Sequence, residues 1–327
     1  MTVTISVRNI ALFLLVVLLL VGTGVTQGAN AALFLLNMGL VSAIMALGVN
    51  LQWGFAGLFN IGIMGFVALG GLAAVRIGMP PTTEAWQQGG AQMIAALATG
   101  AITIVAAILL RRRMAPGRAR FWATLGVLVV GFLLYRTLFD PARDAIEAVN
   151  PAGTGYLGGL GIEGFPVVLA WPVGGLLAAG AAWIIGKTAL GLRSDYLAIA
   201  TLGIAEIIIA ILKAEDWLSR GVKNVVGVPR PVAYEVDLQA DPGFVERAAD
   251  LGMEPVLAST IYVKLQYSVL FTIVLALVRV LAQLALASPW GRMMRAIRDN
   301  ETAAEAMGKD VTKRHLQIFI LDSATCG

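Results

Sequence analysis

The sequence predicts an all-α membrane protein, a polytopic bundle of about eight transmembrane helices followed by a truncated ninth. Two observations support this fold class. Of the 327 residues, 58% are hydrophobic and only 13% are charged, which lies well outside the averages of soluble domains. The apolar runs are continuous over roughly 20 residues, the length that crosses a bilayer, and lack the alternation of a membrane barrel. Helices are expected, because a spanning helix satisfies its own backbone hydrogen bonds.

The predicted spans follow the apolar runs in chain order and lie at about 10–27, 30–52, 56–75, 93–110, 121–139, 166–186, 196–212 and 261–287. A last apolar run begins after His315 but is interrupted at Asp322, so we expect the C-terminus to be truncated within a ninth span. His315 is then expected at the membrane interface. The first span has an alternative interpretation, since Arg8, the apolar run 10–21 and the small residues 29–31 also fit a cleaved signal peptide.

The loop charges predict the orientation of these spans. If the N-terminus is cytosolic, the inside loops hold fourteen Lys and Arg residues and the outside loops hold seven. Basic residues collect on the cytosolic side of membrane proteins, so a cytosolic N-terminus in a bacterial inner membrane is expected. The net charge of +4 then reflects topology, and nothing indicates nucleic-acid binding.

We interpret the chain as one membrane domain with two distinctive segments. Residues 77–164 are expected to form an inserted helical hairpin whose basic loop, RRRMAPGRAR, anchors the topology or contacts anionic lipid. Residues 213–260 form the longest soluble segment, on the periplasmic side. Two roles are open for that segment: docking of a periplasmic binding protein, or a solvated cap.

Residues 288–315 predict a short, basic pair of helices in the cytosol. Ser288 and Asn300 suit the two N-caps, and Gly308 suits the position that closes the second helix. Four residues recur at helical spacing and are expected on one apolar side: Met293, Ile297, Ala304 and Met307. Such an element in a membrane protein indicates a surface for a partner protein.

The same segment resembles the coupling loop of ABC-importer permeases. That family pattern runs Glu-Ala-Ala, three residues, Gly, nine residues, Ile-x-Leu-Pro. Here Ala303, Ala304, Gly308 and Ile318 fall at the matching positions, while Thr302 replaces the Glu and Ile-Leu replaces the Leu-Pro. With Ala46–Phe66 and Leu190–Ile207, which are similar to further segments in the same order, the chain resembles the LivM type of branched-chain amino acid permease.

The resemblance implies a set of partners and a coupling surface. The partners would be a second permease subunit, two ATP-binding subunits and a periplasmic substrate-binding protein, in a lipid bilayer. The substrate would be a branched-chain or related amino acid, with urea and short amides left open. The residues implied to couple to the ATPase are Arg295, Arg298, Ala303, Ala304, Glu305 and Gly308.

A translocation path is predicted from polar groups in the apolar spans. The resemblance places the glycine-dense region 30–75 in the translocation core, although Ile63 stands where many relatives carry His. The path candidates are Asn50, Gln52, Gly57, Asn60 and Glu206. Glu206 and Arg279 lie at similar estimated depths, about 16 and 13 Å from the cytosolic ends of their helices, so they are predicted to form a buried structural pair.

Catalysis by this chain is not expected. With one His and one Cys, the sequence offers no metal-ligand cluster, cofactor site or nucleophile triad. Two other classes remain beside the importer permease. A stand-alone secondary transporter or channel would need ion-coupling residues at the midplane and no docking helices. A purely structural membrane protein would not need the amide- and glycine-rich core.

Overall fold

The computed structural model describes residues 7–150, 155–192 and 194–327, and the regular secondary structure of these residues is helical, with no strand among them. Arg193, counted above with the inside loops, lies outside the described residues. In chain order the α-helices are α1 (Val7–Gln27), α2 (Ala29–Val49), α3 (Ile63–Gly78), α4 (Thr83–Ala85), α5 (Ala91–Arg113), α6 (Arg118–Glu147), α7 (Ala170–Ala189), α8 (Ser194–Ala214), α9 (Asp216–Ser219), α10 (Glu235–Ala240), α11 (Pro242–Asp250), α12 (Pro255–Ala287), α13 (Pro289–Asp299), α14 (Glu301–Ala306) and α15 (Val311–Cys326). Asn50–Phe55 and Trp86–Gly90 are π-helical, and Phe165–Leu169 is a 3₁₀ helix.

The prediction of a helical, polytopic membrane protein is confirmed. Within the described ranges, seven helical stretches are long and apolar enough to cross a membrane, and they overlap seven of the predicted spans. The continuous span predicted over 56–75 is wrong. Residues 57–62 are not helical, and α3 has 16 residues, or about 24 Å at the α-helical rise. Gly57 has φ 71°, a conformation that glycine adopts without steric cost and that ends the helical path.

The chain divides into two compact units. The first contains Met1–Ala73, Glu163–Glu206 and Arg230–Gly327. In this unit α12 packs along α2, and α15 packs against both α7 and α2. The second contains Ala74–Ile162 and Ile207–Pro229, so it holds most of the segment 77–164 that the sequence marks as an insert. There α5 and α6 pack as a hairpin around a core that includes Met93, Phe139 and Trp217.

The C-terminal helix α15 corrects the expectation that the last apolar run breaks at Asp322. The helix continues through Asp322 to Cys326, and the Asp322 side chain is fully buried (0% exposed). Its buried residues recur at helical spacing: Val311, His315, Ile318, Phe319 and Asp322. Aspartate has a lower helix propensity than alanine but does not break a helix that packing holds in place. The helix therefore forms part of the core of the first unit.

Candidate functional site

The break between α2 and α3 is the most unusual backbone feature of the first unit. After α2 the chain widens into the π-helical turn Asn50–Phe55, turns at Gly57 and runs without helical structure to Gly62. Single π-helical turns inside α-helices are often found at functional sites. Non-helical backbone at membrane depth is tolerated only where protein or water satisfies its polar groups. The side chains around the break show how this is done.

Three buried polar side chains supply hydrogen bonds at the break. Asn60 Nδ2 donates to Gln52 Oε1 (3.2 Å), and Asn60 Oδ1 accepts from the Gly62 backbone N–H (2.8 Å). The Thr201 hydroxyl on α8 accepts from the Ile61 N–H (3.3 Å). Two predicted path residues, Gln52 and Asn60, are thus brought together and bonded to each other. Gln52 Nε2, which is buried, has no hydrogen-bond partner in the structure, so one donor of the cluster is free.

Asp322 is a buried carboxylate on α15 that the sequence reasoning did not select. Its Oδ1 accepts a hydrogen bond from the Cys326 thiol (3.7 Å), while Oδ2 has no partner. A Cβ at Gly48, two residues before the π-helical turn, would lie 2.9 Å from Asp322 Oδ1, so glycine allows this approach. The helical spacing from Ile318 to Asp322 was the available signal, because it puts both residues on one face of a helix.

The remaining path candidates lie on exposed surface. Asn50 and Arg279 line one open groove of about 590 Å³ between α2 and α12. Gly57 and Glu206 are exposed. The structure does not bring Glu206 and Arg279 together, since neither joins an ion pair within 4.0 Å in the described part of the chain. The predicted buried pair is therefore absent, because depth along a helix does not fix the direction in which a side chain points.

The helix pair α13–α14 has the caps that the sequence predicts. The Ser288 hydroxyl accepts from the Gly291 N–H (3.4 Å) at the start of α13. Asn300 Oδ1 accepts from the Ala303 N–H (3.0 Å) at the start of α14. Gly308 closes α14 with φ 75°, and its N–H donates to Glu305 O (2.8 Å). These three contacts fix the path of the chain through residues 288–308.

The exposed side of this helix pair contains three of the predicted coupling residues. Ala303, Glu305 and Gly308 are exposed, whereas Ala304 is buried. Of the four residues predicted on the apolar side, Ile297 and Ala304 are buried and Met293 is half-buried. The prediction is wrong for Met307, which is 80% exposed. Met307 follows the last turn of α14, where the chain leaves the helix toward Gly308, so helical spacing no longer describes its direction.

The two predicted coupling arginines have different roles in the structure. Arg295 turns back toward the last turn of α12, where its Nη2 donates to Leu286 O (3.1 Å). Arg298 reaches the break instead, and its Nη1 donates to Gly54 O (2.6 Å) in the π-helical turn. Its Nη2 also contacts Asp299 Oδ1 at 3.0 Å. Helix α13 thus places a charged donor on a carbonyl of the turn.

The segment predicted as a periplasmic loop, 213–260, contains three short helices, α9 to α11, and ends earlier than expected because α12 begins at Pro255. The part of the segment from Arg230 onward contains an ion pair between Arg230 and Glu235 (3.0 Å). Burial favours a higher pKa for the Glu235 carboxyl, but the hydrogen bonds to this carboxyl, with the positive charges of Arg230 and Lys264, together outweigh burial and lower the pKa. Gln239 Nε2 donates to Ser259 Oγ (2.9 Å) on α12. This part of the segment is therefore held against α12.

Among the described residues, no group of three or more His, Cys, Asp or Glu side chains is arranged to hold a metal ion. The chemistry that the site offers is hydrogen bonding by amides, a hydroxyl and one carboxylate, around a backbone turn that contacts α13. Such groups can bind and release a polar solute, and none of them forms a nucleophile–base pair.

Comparison with known proteins gives a family match over more than half of the chain. The family model for the permease component of branched-chain amino acid transport systems matches residues 145–327. The high-affinity branched-chain amino acid transport system permease protein LivM of Escherichia coli (strain K12) is 29% identical over 163 residues, 48% of this chain and 37% of that protein. LivM of Salmonella typhimurium (strain LT2) gives the same values. The chain thus aligns with less than half the length of these curated relatives, and no solved structure matches it.

Proposed function

The chain belongs to the family of branched-chain amino acid transport permease components, and from this premise we propose that it is a membrane-spanning subunit of an ATP-driven importer. In this proposal the break around Gln52, Asn60 and Thr201 lies beside the translocation path. The exposed residues of α13 and α14 form the surface that receives the ATP-binding subunits.

One observation supports this proposal most directly, the hydrogen bond from Arg298 Nη1 to Gly54 O (2.6 Å). Arg298 belongs to α13, one turn from the exposed helix α14, and Gly54 belongs to the π-helical turn that leads into the break. A displacement of the cytosolic helix pair would therefore act directly on the backbone of the break. Packed elements transmit such displacements because they change between discrete arrangements.

The exposed carboxylate on α8 fits the same proposal. A charged side chain at membrane depth is costly and usually faces water or other protein. We therefore propose that Glu206 faces an aqueous path or a second permease subunit. Arg279 lies eight residues from the end of α12 and is exposed, so it is proposed to extend toward the headgroups. The groove that it shares with Asn50 is a second surface for a path.

The proposed partners are a second permease subunit, two ATP-binding subunits and a periplasmic substrate-binding protein. The proposed location is the bacterial inner membrane with the N-terminus in the cytosol, as the distribution of loop charges favours. The proposed substrates are branched-chain or related amino acids, and urea or a short amide is the alternative within this family. The alternative from another class is a stand-alone secondary transporter or channel.

Uptake into membrane vesicles tests these alternatives. The full-length protein is expressed with the proteins encoded beside it, and uptake of labelled leucine is measured with and without ATP inside the cytosolic compartment. Competition by valine, isoleucine, urea and acetamide assigns the substrate class. The proposal predicts uptake that needs ATP and persists when an ionophore removes ion gradients. Uptake by the chain alone, driven by an ion gradient, would assign it to the secondary transporters.

A further inference from the structure

The tip of the α5–α6 hairpin carries a concentration of positive charge without a carboxylate partner. Five arginines fall within ten residues, and no Asp or Glu occurs between Glu84 and Asp140. Four of them are exposed and the fifth, Arg120, is half-buried. In the described part of the chain none of the five joins an ion pair within 4.0 Å, and the nearest such pair on α6 is Arg136–Asp140. The tip also precedes residues 145–327, so the family match assigns it no role.

A cavity of about 310 Å³ opens between the two helices at this tip. Arg111 and Arg120 line its polar end, where Arg120 Nη1 donates to Arg111 O (3.5 Å) and is held across the gap. The Thr124 hydroxyl also lines it. Farther along the hairpin the helices leave no such room, because a Cβ at Gly131 would overlap the Thr103 side chain. The cavity is therefore a local feature of the arginine end.

The cavity changes from polar to apolar along α6. Beyond Arg120 its lining consists of Phe121, Leu125 and Leu128, with Thr124 among them, so its far end is apolar. At 1.5 Å per residue, Leu125 and Leu128 lie about 7.5 and 12 Å farther along the helix than Arg120. The cavity thus has cationic groups at its opening and apolar side chains farther in, an order that matches a phosphate headgroup followed by an acyl chain. A soluble acidic protein could reach the arginines but not the part of the cavity that lies along the apolar span.

Aromatic residues place the arginine tip at the membrane surface. Phe121 and Trp122 are 62% and 66% exposed and pack edge to face with ring centroids 5.4 Å apart. Tryptophan is enriched at the level of the lipid headgroups. The cavity mouth at Arg120 is next to this pair in the chain, so its cationic groups lie where lipid phosphates lie.

We propose that this cavity binds an anionic phospholipid, with its phosphate between Arg111 and Arg120 and one acyl chain along Phe121, Leu125 and Leu128. A basic residue near an anionic membrane surface strengthens binding about fivefold. Two arginines that line one cavity should therefore strengthen binding about 25-fold over a lipid without net charge. The proposal concerns the second unit and does not depend on the proposed importer function.

The test is a titration of the full-length purified protein with phosphatidylglycerol and with phosphatidylcholine of the same acyl chains, followed by native mass spectrometry. We expect phosphatidylglycerol to bind at least tenfold more tightly. The double variant Arg111→Gln/Arg120→Gln should lose about 25-fold and approach the affinity for phosphatidylcholine. The matched control Arg112→Gln/Arg113→Gln removes the same charge from residues that do not line the cavity, and it should lose fivefold at most.

A second variant keeps every arginine and so separates the cavity from the general charge of the tip. Leu125→Trp fills the apolar part of the cavity, and we expect it to weaken phosphatidylglycerol binding about tenfold with the charge unchanged. Equal binding of the two lipids, or equal losses in the two arginine double variants, would overturn the proposal and leave the tip as a topology anchor. Retention of binding by Leu125→Trp would also overturn it. Displacement of the lipid by glycerol phosphate or by polyglutamate at equal concentration would assign the tip to free phosphates or to an acidic protein.

Discussion

Replacing Arg298 with glutamine tests whether the helix pair α13–α14 acts on the break. The variant removes the hydrogen bond from Nη1 to Gly54 O (2.6 Å) and the contact with Asp299 (3.0 Å). A hydrogen bond to a charged group contributes about 1.5–3 kcal/mol, and an exposed ion pair contributes about 0–1 kcal/mol. Because the Arg298 side chain is 42% exposed, the lower end applies. We expect a loss of about 1.5 kcal/mol, or roughly tenfold in an equilibrium.

The assay is the ratio of substrate taken up to ATP hydrolysed, measured with the full-length complex in liposomes. We expect Arg298→Gln to lower this ratio about tenfold while ATP hydrolysis continues. Arg292→Gln is the matched control, since Arg292 lies on the same helix and donates to Ala287 O (3.1 Å) at the base of that helix. Arg298→Lys keeps the charge but loses the guanidinium, which donates to two acceptors at once. Its ratio of uptake to ATP hydrolysis should therefore lie between those of the wild type and the glutamine variant.

The substitution Gly57→Ala tests the contact between Arg298 and the break by changing a residue of the break. Gly57 has φ 71°, and an added Cβ would lie 3.1 Å from Arg298 Cγ. An alanine in this conformation costs about 1–2 kcal/mol and pushes the arginine stem away. We expect the same uncoupling as in Arg298→Gln. Equal ratios in Arg298→Gln and Arg292→Gln, or a wild-type ratio in Gly57→Ala, would refute the role assigned to the contact.

Three further predictions concern the glycines and the buried carboxylate. Gly308→Val should uncouple transport from ATP hydrolysis while membrane insertion is retained, since a β-branched residue is strained at φ 75°. Wild-type uptake by this variant would contradict the docking role of α14. Gly62→Ala should lower the unfolding temperature, at a cost of about 1–3 kcal/mol, because its Cβ overlaps the Thr201 carbonyl, whereas Gly71→Ala, with open space, should not. Asp322→Asn should not reduce thermal stability, because a buried carboxylate with one unpartnered oxygen is costly to ionise; a large loss of folded protein would show that the charge is paired.

The sequence was sufficient for the features that depend on local residues. Long apolar runs predicted the helices. Ser288, Asn300 and Gly308 predicted the caps of α13 and α14, because a cap is a contact between residues three or four positions apart. The sequence could not show that 57–62 would be non-helical. That outcome depends on Thr201, which is 140 positions from Ile61 and satisfies a backbone N–H that a helix would otherwise have satisfied.

Contacts with residues far away in the sequence also explain why Asp322 was expected to end the last apolar run. Read as one charge in a short apolar run, Asp322 looks like the end of a helix. In the structure it packs against Gly48 of α2, and α15 packs against α2 and α7, so tertiary contacts hold the helix in place. The contact from Arg298 to Gly54 was equally invisible, because the two residues are 244 positions apart. The sequence could place Arg298 in a short helix but could not show what the side chain contacts.

Glu206 shows how an estimate of depth can be useful and still mislead. Its depth was counted along α8, where each residue also rotates the side chain by about 100°. Glu206 follows Thr201 by five residues, so it points about 140° away from the hydroxyl that satisfies the break. Thr201 is buried and Glu206 is exposed, in agreement with this rotation. The predicted path residues therefore fall into two sets, with Gln52 and Asn60 at the buried break and Glu206 on another face of α8. A solute path along Glu206 would have to run outside that buried cluster, on the side where a second subunit is proposed to pack.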